Sequence, residues 1–381
     1  MALPPAEMRW QQARAIARDS AKPLAGQQIP IAEAGGRVLA EAVRCARPVP
    51  AFDNAAMDGF AVAGPGPWTI RGRVLAGAVT GGMLLPGTAV EIATGALVPD
   101  GAEAVLPYED CAVDGDTVLG AVGSRRHIRR AGDSLAAGAL VVPAGRIVTA
   151  TVAAAIVQAG TEQVVAHRPP AVTLLVTGDE VISEGVPGPG QVRDTFTGLV
   201  TAVTGRAGGA LTERHRLPDD RALLKAALDR ASGDVIVVSG SSSAGAADHL
   251  HELLGADGAT WLVRGVACRP GHPQALAVLP DGRWVVSLPG NPYAGLVAAL
   301  TLLEPLLTTL AGRPATGLPT VPVTGETRLM PGGVRIVPVS ATGELVAAGA
   351  VGLHAAAVAD YLAVLADDWT PGEHAPLLWV P

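Results

Sequence analysis

The sequence predicts an α/β multidomain protein: a doubly wound, mostly parallel sheet, with a β module inserted ahead of it and a small separate β domain at the end. Three observations carry that prediction. From about residue 170 apolar runs alternate with helical stretches: AVTLLVTGDE, TGLVTAVTGRAG, RALLKAALDRASG, DVIVVSGSSSAGAADHLHELLG and WVVSLPGNPYAGLVAALTLLEPLL. Buried strands alternating with helices form parallel sheets whose two faces are both covered. From about 48 to 138 short apolar runs (WTIRGRVLAG, TAVEIATG, EAVLPYEDCAVDGDTVLGAV) are broken by Gly, Pro and Asp, the rhythm of an all-β module. From about 318 short apolar runs again alternate with Gly and Pro.

At 381 residues the chain is long enough for several domains. Its 28 Lys+Arg against 35 Asp+Glu give a net charge of -7, which argues against nucleic acid or an acidic membrane as partner. Any anion site must be local. Lysine occurs only at Lys22 and Lys225, so nearly all positive charge is arginine. Cys45, Cys111 and Cys268 are odd in number and widely spaced, which fits a reducing cytoplasm and neither a disulfide framework nor a zinc site. The first residues carry charge throughout and read as a helix rather than a secretory signal. The most apolar stretch, 295–312, is interrupted by Glu304 and Pro305 and reads as a core helix.

In a doubly wound sheet ligands bind beyond the carboxyl ends of the strands. Three loops, TGDE, SGSSSAGAAD and LPGNP, each follow a predicted strand. The stretch Gly240 to Gly245 is a strand-to-helix loop whose amides would cradle a phosphate or another oxyanion. Its G-x-x-x-x-G spacing lacks the phosphate-loop lysine because Ala246 stands there, and a nucleophile elbow around Ser242 fails at Ala244. Asp179 and Glu180 are adjacent carboxylates suited to magnesium or to a water. Asn291 and Pro292 read as a helix N-cap and first helical residue. Arg269 and His272 lie on one RPGHP turn, while His249 and His251 point different ways on a helix and read as solvated or capping. In FDNAAMDGFAV, residues 52–62, an Asp-Gly turn at Asp58 lies among the bulky side chains Phe52, Met57 and Phe60, which would anchor it.

Read in order, EAGGRVLAEAV, PVPAFDNAAMDGFAV, IATGALVPDGAEAVL, AGDSLAAGALVVPAG, LLVTGDEV, GQVRDTF, VSGSSSAGAAD, RPGHP and SLPGNPYA resemble the molybdopterin molybdotransferases, the MoeA family that includes the C-terminal part of gephyrin. The resemblance implies an elongated homodimer of four-domain subunits. Residues 1–26 with 169–317 would form the α/β molybdopterin-binding domain and 27–47 with 139–168 a linking domain. Residues 48–138 would be the β module and 318–381 the C-terminal β domain. It implies hydrolysis of adenylated molybdopterin and insertion of molybdate into its dithiolene, with Mg2+ present, and the molybdopterin adenylyltransferase as a partner.

Carried over residue by residue, the resemblance makes Asp58, Glu180 and Asp248 catalytic, with Asp58 and Glu180 holding the metal. It gives Thr94, Asp179, Asp194, Ser242, Ser243, Arg269, His272, Pro289 and Asn291 to substrate, Ser243 to the pterin phosphate and Arg269 with His272 to molybdate. It also places Asp58 toward the α/β crevice of the partner subunit. This chain departs from the family at Ala55, Ser134, Phe196, Ser241 and Ala246, in having RPGHP for K-P-G-K-P, and at AGAV, residues 348–351, where the family has Q-G-S-G. The departures leave a second expectation, a dimeric protein-binding scaffold, beside the enzyme.

Overall fold

The computed structural model describes residues 8–78, 82–240, 247–346 and 352–381, with the backbone alone at 247 and 248. The chain divides into two compact units, one of Met1–Gln27, Gly36–Ala40 and Val165–Pro381, the other of Gln28–Gly35 and Glu41–Val164.

The larger unit holds the doubly wound sheet. Its six strands run, from one edge, Ala210–Leu217, Ala171–Thr177, Val235–Ser239, Trp284–Leu288, Ala275–Val278 and Thr260–Arg264. The first four pair in parallel. The last two are antiparallel, because a tight turn with Gly282 at φ +88° folds Ala275–Val278 straight back onto Trp284–Leu288 and no crossover helix intervenes. The sheet is mostly parallel, as expected, with an antiparallel edge.

Alternation along the strands sends side chains to two cores. Val172, Leu174, Val176, Val235 and Val237 face the helix Phe196–Arg206 and the long helical run from Pro292 to Leu310. Leu175, Ile236, Val238 and Val285 pack with Leu224 and Leu228 of Arg221–Arg230 and with Leu250 and Leu254 of Ala247–Ala256. The run 292–310 is apolar enough to cross a membrane but is buried inside this unit. Pro305 has no N–H to offer Thr301, and the run widens into a π turn at Ala299–Leu303 instead of breaking.

The C-terminal strands Thr320–Pro322, Val334–Val339, Tyr361–Leu365 and His374–Trp379 form a second six-stranded sheet with Val266–Arg269 and Met8–Arg9. Backbone hydrogen bonds thus tie this segment to the α/β part through the parallel pairing of Val266–Arg269 with Val334–Val339, where a β region standing apart was expected.

Two local contacts yield measurable predictions. Phe196, where the resemblance expects asparagine, is buried, and a Cβ at Gly295 would lie 2.3 Å from its ring. The glycine is a notch for this phenylalanine, so Gly295→Ala should destabilise the fold by about 1–3 kcal/mol in urea titration. Asp234 accepts a bidentate pair from Arg168 at 2.7 and 2.6 Å and the Ala171 amide at 2.9 Å. Burial pushes this carboxyl up, but Arg168 and the amide outweigh burial and hold it below the usual range. A depressed folded-state pKa contributes stability above the unfolded value, near pH 4, and loses it as pH falls through the folded one. Asp234→Asn should therefore cost about 1–3 kcal/mol near neutrality, with the gap to wild type closing below about pH 4.

In the smaller unit a six-stranded sheet runs Ala104–Pro107, Gly59–Ala63, Thr88–Ile92, Trp68–Val74, Thr117–Gly120 and Cys111–Asp114. All its pairings are antiparallel except Trp68–Val74 with Thr88–Ile92. Phe60, Val62, Trp68, Ala104, Leu106 and Val118 fill one face and Ala61, Val74, Ile92 and Val105 the other.

Candidate active site

The strand order reverses between Ala171–Thr177 and Val235–Ser239, since the chain runs to one side after the first and to the other after the second. Such a reversal opens a crevice beyond the carboxyl ends. Thr177 Oγ1 donates to the Ser239 carbonyl at 2.7 Å, locking the two strand ends together. Gly240 follows at φ +86°, and a Cβ there would stand 2.7 Å from the Thr177 carbonyl oxygen, so only glycine lets the chain leave the sheet here. Gly290 lies next to it, a Cβ on it standing 3.4 Å from the Gly240 Cα. The loops after three neighbouring strands thus start from one place. Ser242 and Ser243 lie outside the described residues, as do Ser241, Ala246 and the stretch 348–351; Asp248 is in the first turn of Ala247–Ala256, with its side chain also outside them.

Asp179 and Glu180 are exposed on the first loop. A Cβ on Gly178, at φ +134°, would meet Glu180 Oε2 at 2.6 Å, so the carboxylate folds back over the glycine. The Asp219 amide approaches Asp179 Oδ1 at 3.4 Å. Burial, then Glu180 and Asp179, raise the Asp219 carboxyl above the ordinary range. Asp219 is a third acid of this end of the sheet that sequence reading missed. It follows the edge strand Ala210–Leu217, and only strand order makes that strand the neighbour of Ala171–Thr177.

Asp194 closes a ribbon in which Val181–Ile182 pairs with Val192–Arg193. Its carboxylate accepts the Thr197 amide at 3.1 Å and the Thr197 hydroxyl, so in this structure it caps the helix Phe196–Arg206. Asn291 is the expected cap: its Oδ1 accepts the Tyr293 and Ala294 amides, both at 3.1 Å, with Pro292 in the first turn. Pro289 is buried beneath that turn. Arg269 is exposed at the head of the RPGHP turn. His272 Nδ1 lies 3.0 Å from the Val266 carbonyl and its ring lies against Gly265, so the imidazole braces the turn. Of the helical histidines, His251 stacks on Trp261 with ring centroids 4.8 Å apart, and His249 Nδ1 is buried, where both were read as solvated or capping.

In the smaller unit Asp58 and Thr94 meet. The Thr94 amide donates to Asp58 Oδ1 at 2.6 Å, and that amide, with the Thr94 hydroxyl, holds the exposed Asp58 carboxyl below the usual range. The next residue must be glycine, because a Cβ on Gly59 would stand 2.0 Å from the Leu106 carbonyl oxygen. The anchoring differs from expectation. Phe60 is buried edge-on to Tyr108 at 5.5 Å, whereas Phe52 is 47% exposed, next to Asp53, which pairs with Arg130 and accepts the Ala131 amide.

Among the described residues no three His, Cys, Asp or Glu side chains form a ready metal cage. Magnesium needs none: it takes one or two carboxylates, waters and substrate phosphates, and exposed Asp179 and Glu180 are hard-oxygen donors of that kind.

Comparison with known proteins follows the same division. Residues 8–160 match the MoeA N-terminal region (domains I and II), and residues 173–309 match the probable molybdopterin-binding domain. Molybdopterin molybdenumtransferase 2 of Mycobacterium tuberculosis is 34% identical over 312 residues, covering 76% of this chain and 75% of that one. The molybdopterin molybdenumtransferase of Haemophilus influenzae is 30% identical over 302 residues, covering 76% and 74%. The crystal structure of a MoeA protein of molybdopterin biosynthesis from Pyrococcus horikosii superposes with a TM-score of 0.81 at 25% identity, over 98% of this chain and 99% of that one. With two family models in series, close relatives over three quarters of its length and the same fold, the chain belongs to the MoeA family of molybdopterin molybdenumtransferases.

Proposed function

We propose that this chain acts in molybdenum cofactor biosynthesis, cleaving adenylated molybdopterin and inserting molybdate into its dithiolene, with AMP and the cofactor as products. The observation that carries the reading is the switch-point crevice. Three strand-end loops start from one place there, with Asp179, Glu180 and Asp219 along one side and the RPGHP turn packed on the helix that follows the LPGNP loop. Acid and base are thereby set apart, as a substrate carrying both a phosphoanhydride and a free oxyanion requires.

In this proposal Glu180, with Asp179, would hold Mg2+, which supplies charge neutralisation at the phosphoanhydride when bound. Asp58 stays ionised because Thr94 stabilises its anion, and it serves to orient water or metal in the same reaction. The loop from Gly240, with Ser242, Ser243 and Asp248, would bind the pterin phosphate, and Pro289 and Asn291 would shape the wall. Asp194 would contribute by fixing the helix beside the crevice. The reading includes a cytoplasmic homodimer supplied by the molybdopterin adenylyltransferase. The scaffold alternative is not favoured, since the relatives are named as transferases.

The test is to incubate the purified protein with adenylated molybdopterin, magnesium and molybdate and to follow AMP and molybdenum cofactor. Absence of AMP under conditions where a characterised relative releases it would leave the scaffold. The dimer is tested by mixing Asp58→Ala with Glu180→Ala chains; partial recovery in verified heterodimers is expected.

A further inference from the structure

A ring left in solvent keeps its rotamer freedom unless neighbouring groups fix it. Tyr108, 44% exposed, is fixed from three sides. Its backbone follows Pro107, which locks φ at -61°, and its amide donates to the Asp58 carbonyl at 3.3 Å. Its ring centroid lies 5.5 Å from that of buried Phe60 with the two planes 88° apart, so one side of the ring rests on the core. Its hydroxyl donates to Glu91 Oε1 at 2.6 Å. The side chain thus reaches across the strand Gly59–Ala63, which lies between Ala104–Pro107 and Thr88–Ile92. In that register Phe60 stands opposite Glu91, so the support for the ring and the anchor for its hydroxyl share one face.

The hydroxyl is taken up by Glu91, and what Tyr108 presents to a ligand is therefore its plane. A lone carboxylate beneath an anionic substrate would repel it, but Arg73 Nε lies 3.5 Å from Glu91 Oε2 and offsets the charge. The ring is tied to Asp58 twice, through its own amide and through Phe60, two residues further along the chain. A fixed, open plane beside the acid that acts at a phosphoanhydride suits a planar heterocycle on the leaving side of that bond. Stacking asks only for a π face, which every nucleobase has. The function proposed above gives the pterin phosphate to the loop from Gly240 and leaves the nucleotide base without a partner.

We propose that Tyr108 is the platform on which the adenine of the adenylated substrate stacks, a reading that rests on that function. Phe60 and Glu91 hold the plane in one orientation, so little freedom is lost when the base arrives. Arg73 keeps the platform from repelling the phosphate.

The platform is tested by comparing AMP with ribose 5-phosphate, which carries the same sugar and phosphate and no base. Equilibrium dialysis of the full chain should show wild type binding AMP more tightly than ribose 5-phosphate, by about ten- to a hundredfold. Tyr108→Leu should lose that difference by weakening AMP alone, whereas Tyr108→Phe, which keeps the plane, should retain most of it. In turnover of adenylated molybdopterin, Tyr108→Leu should raise KM more than it lowers kcat. A tyrosine that merely holds its turn would weaken both ligands alike, and that result overturns the platform. So does wild type that binds AMP no better than ribose 5-phosphate, or binds no AMP. If Tyr108→Leu does not fold, Tyr108→Trp decides: the wider plane should bind AMP at least as tightly as wild type, and binding weaker by about tenfold excludes stacking. The two readings fail separately. AMP release with KM and AMP affinity indifferent to Tyr108 sinks the platform alone; Tyr108-dependent AMP binding in a chain that releases no AMP from adenylated molybdopterin sinks the reaction alone.

Discussion

Asp58→Ala and Glu180→Ala should each lower the turnover of adenylated molybdopterin by about two orders of magnitude or more, with little change in stability. The two carboxylates are exposed, so neither holds up a core and their removal leaves no buried partner unsatisfied. Their surroundings are nonetheless built. Gly178 admits the Glu180 carboxylate at 2.6 Å from where a Cβ would be, and the Thr94 amide fixes Asp58 at 2.6 Å. A free surface acid has no use for such positioning, and a reacting phosphoanhydride does. The measurement is kcat and KM for AMP release, alongside urea midpoints for both variants. Near-normal kcat in either variant would remove that carboxylate from the chemistry. Because Thr94 stabilises the anion, Asp58 should remain charged as pH falls through the ordinary carboxylate range. Thr94→Val should remove the hydroxyl's share and move the acid limb of the rate profile upward.

Glu304→Ala should cost about 3–5 kcal/mol of folding stability. The Glu304 carboxylate accepts a hydrogen bond from Arg206 Nε at 3.0 Å, forms an ion pair with Arg206 Nη2 at 2.9 Å and lies 3.8 Å from Arg14, whose other nitrogen donates to the Leu300 carbonyl. Its side chain is 17% exposed and that of Arg14 20%. Burial already makes Arg14 easier to deprotonate, with Glu304 the main opposing influence. Deleting the acid leaves two guanidiniums beside a helix pair that also shares the Trp10 to Thr301 hydrogen bond of 2.9 Å. Urea unfolding of the full chain measures the effect; a loss under about 1 kcal/mol would mean that water enters and replaces the carboxylate.

Much of the α/β unit was legible in sequence because its signals are local. Runs such as VTLLV and VIVVS are continuous apolar strands, and they are buried on both faces. Asn291 before Pro292 is a helix start whatever surrounds it, since the capping amides lie two and three residues away. The Gly240 and Gly178 turns follow from the same local logic. Family resemblance added the site residues because ordered motifs survive where single ones are ambiguous.

What the tertiary structure alone decided are neighbours distant in sequence. Periodicity tells a strand which face is buried but not which strand lies beside it. Asp219 joined Asp179 and Glu180 only once Ala210–Leu217 took the edge next to Ala171–Thr177. The sheet became antiparallel at Ala275–Val278 because a short hairpin returns that strand onto Trp284–Leu288, and the C-terminal strands joined the α/β part through Val266–Arg269. Phe52 stayed in solvent, and its neighbour Asp53 found Arg130, a partner 77 residues away. Arg335 is the sharpest case, an arginine in an unremarkable VRIVPV strand. The sequence determined its charge, and a register of backbone hydrogen bonds set that charge opposite Arg269, because pairing between segments so far apart is settled only when the whole sheet closes.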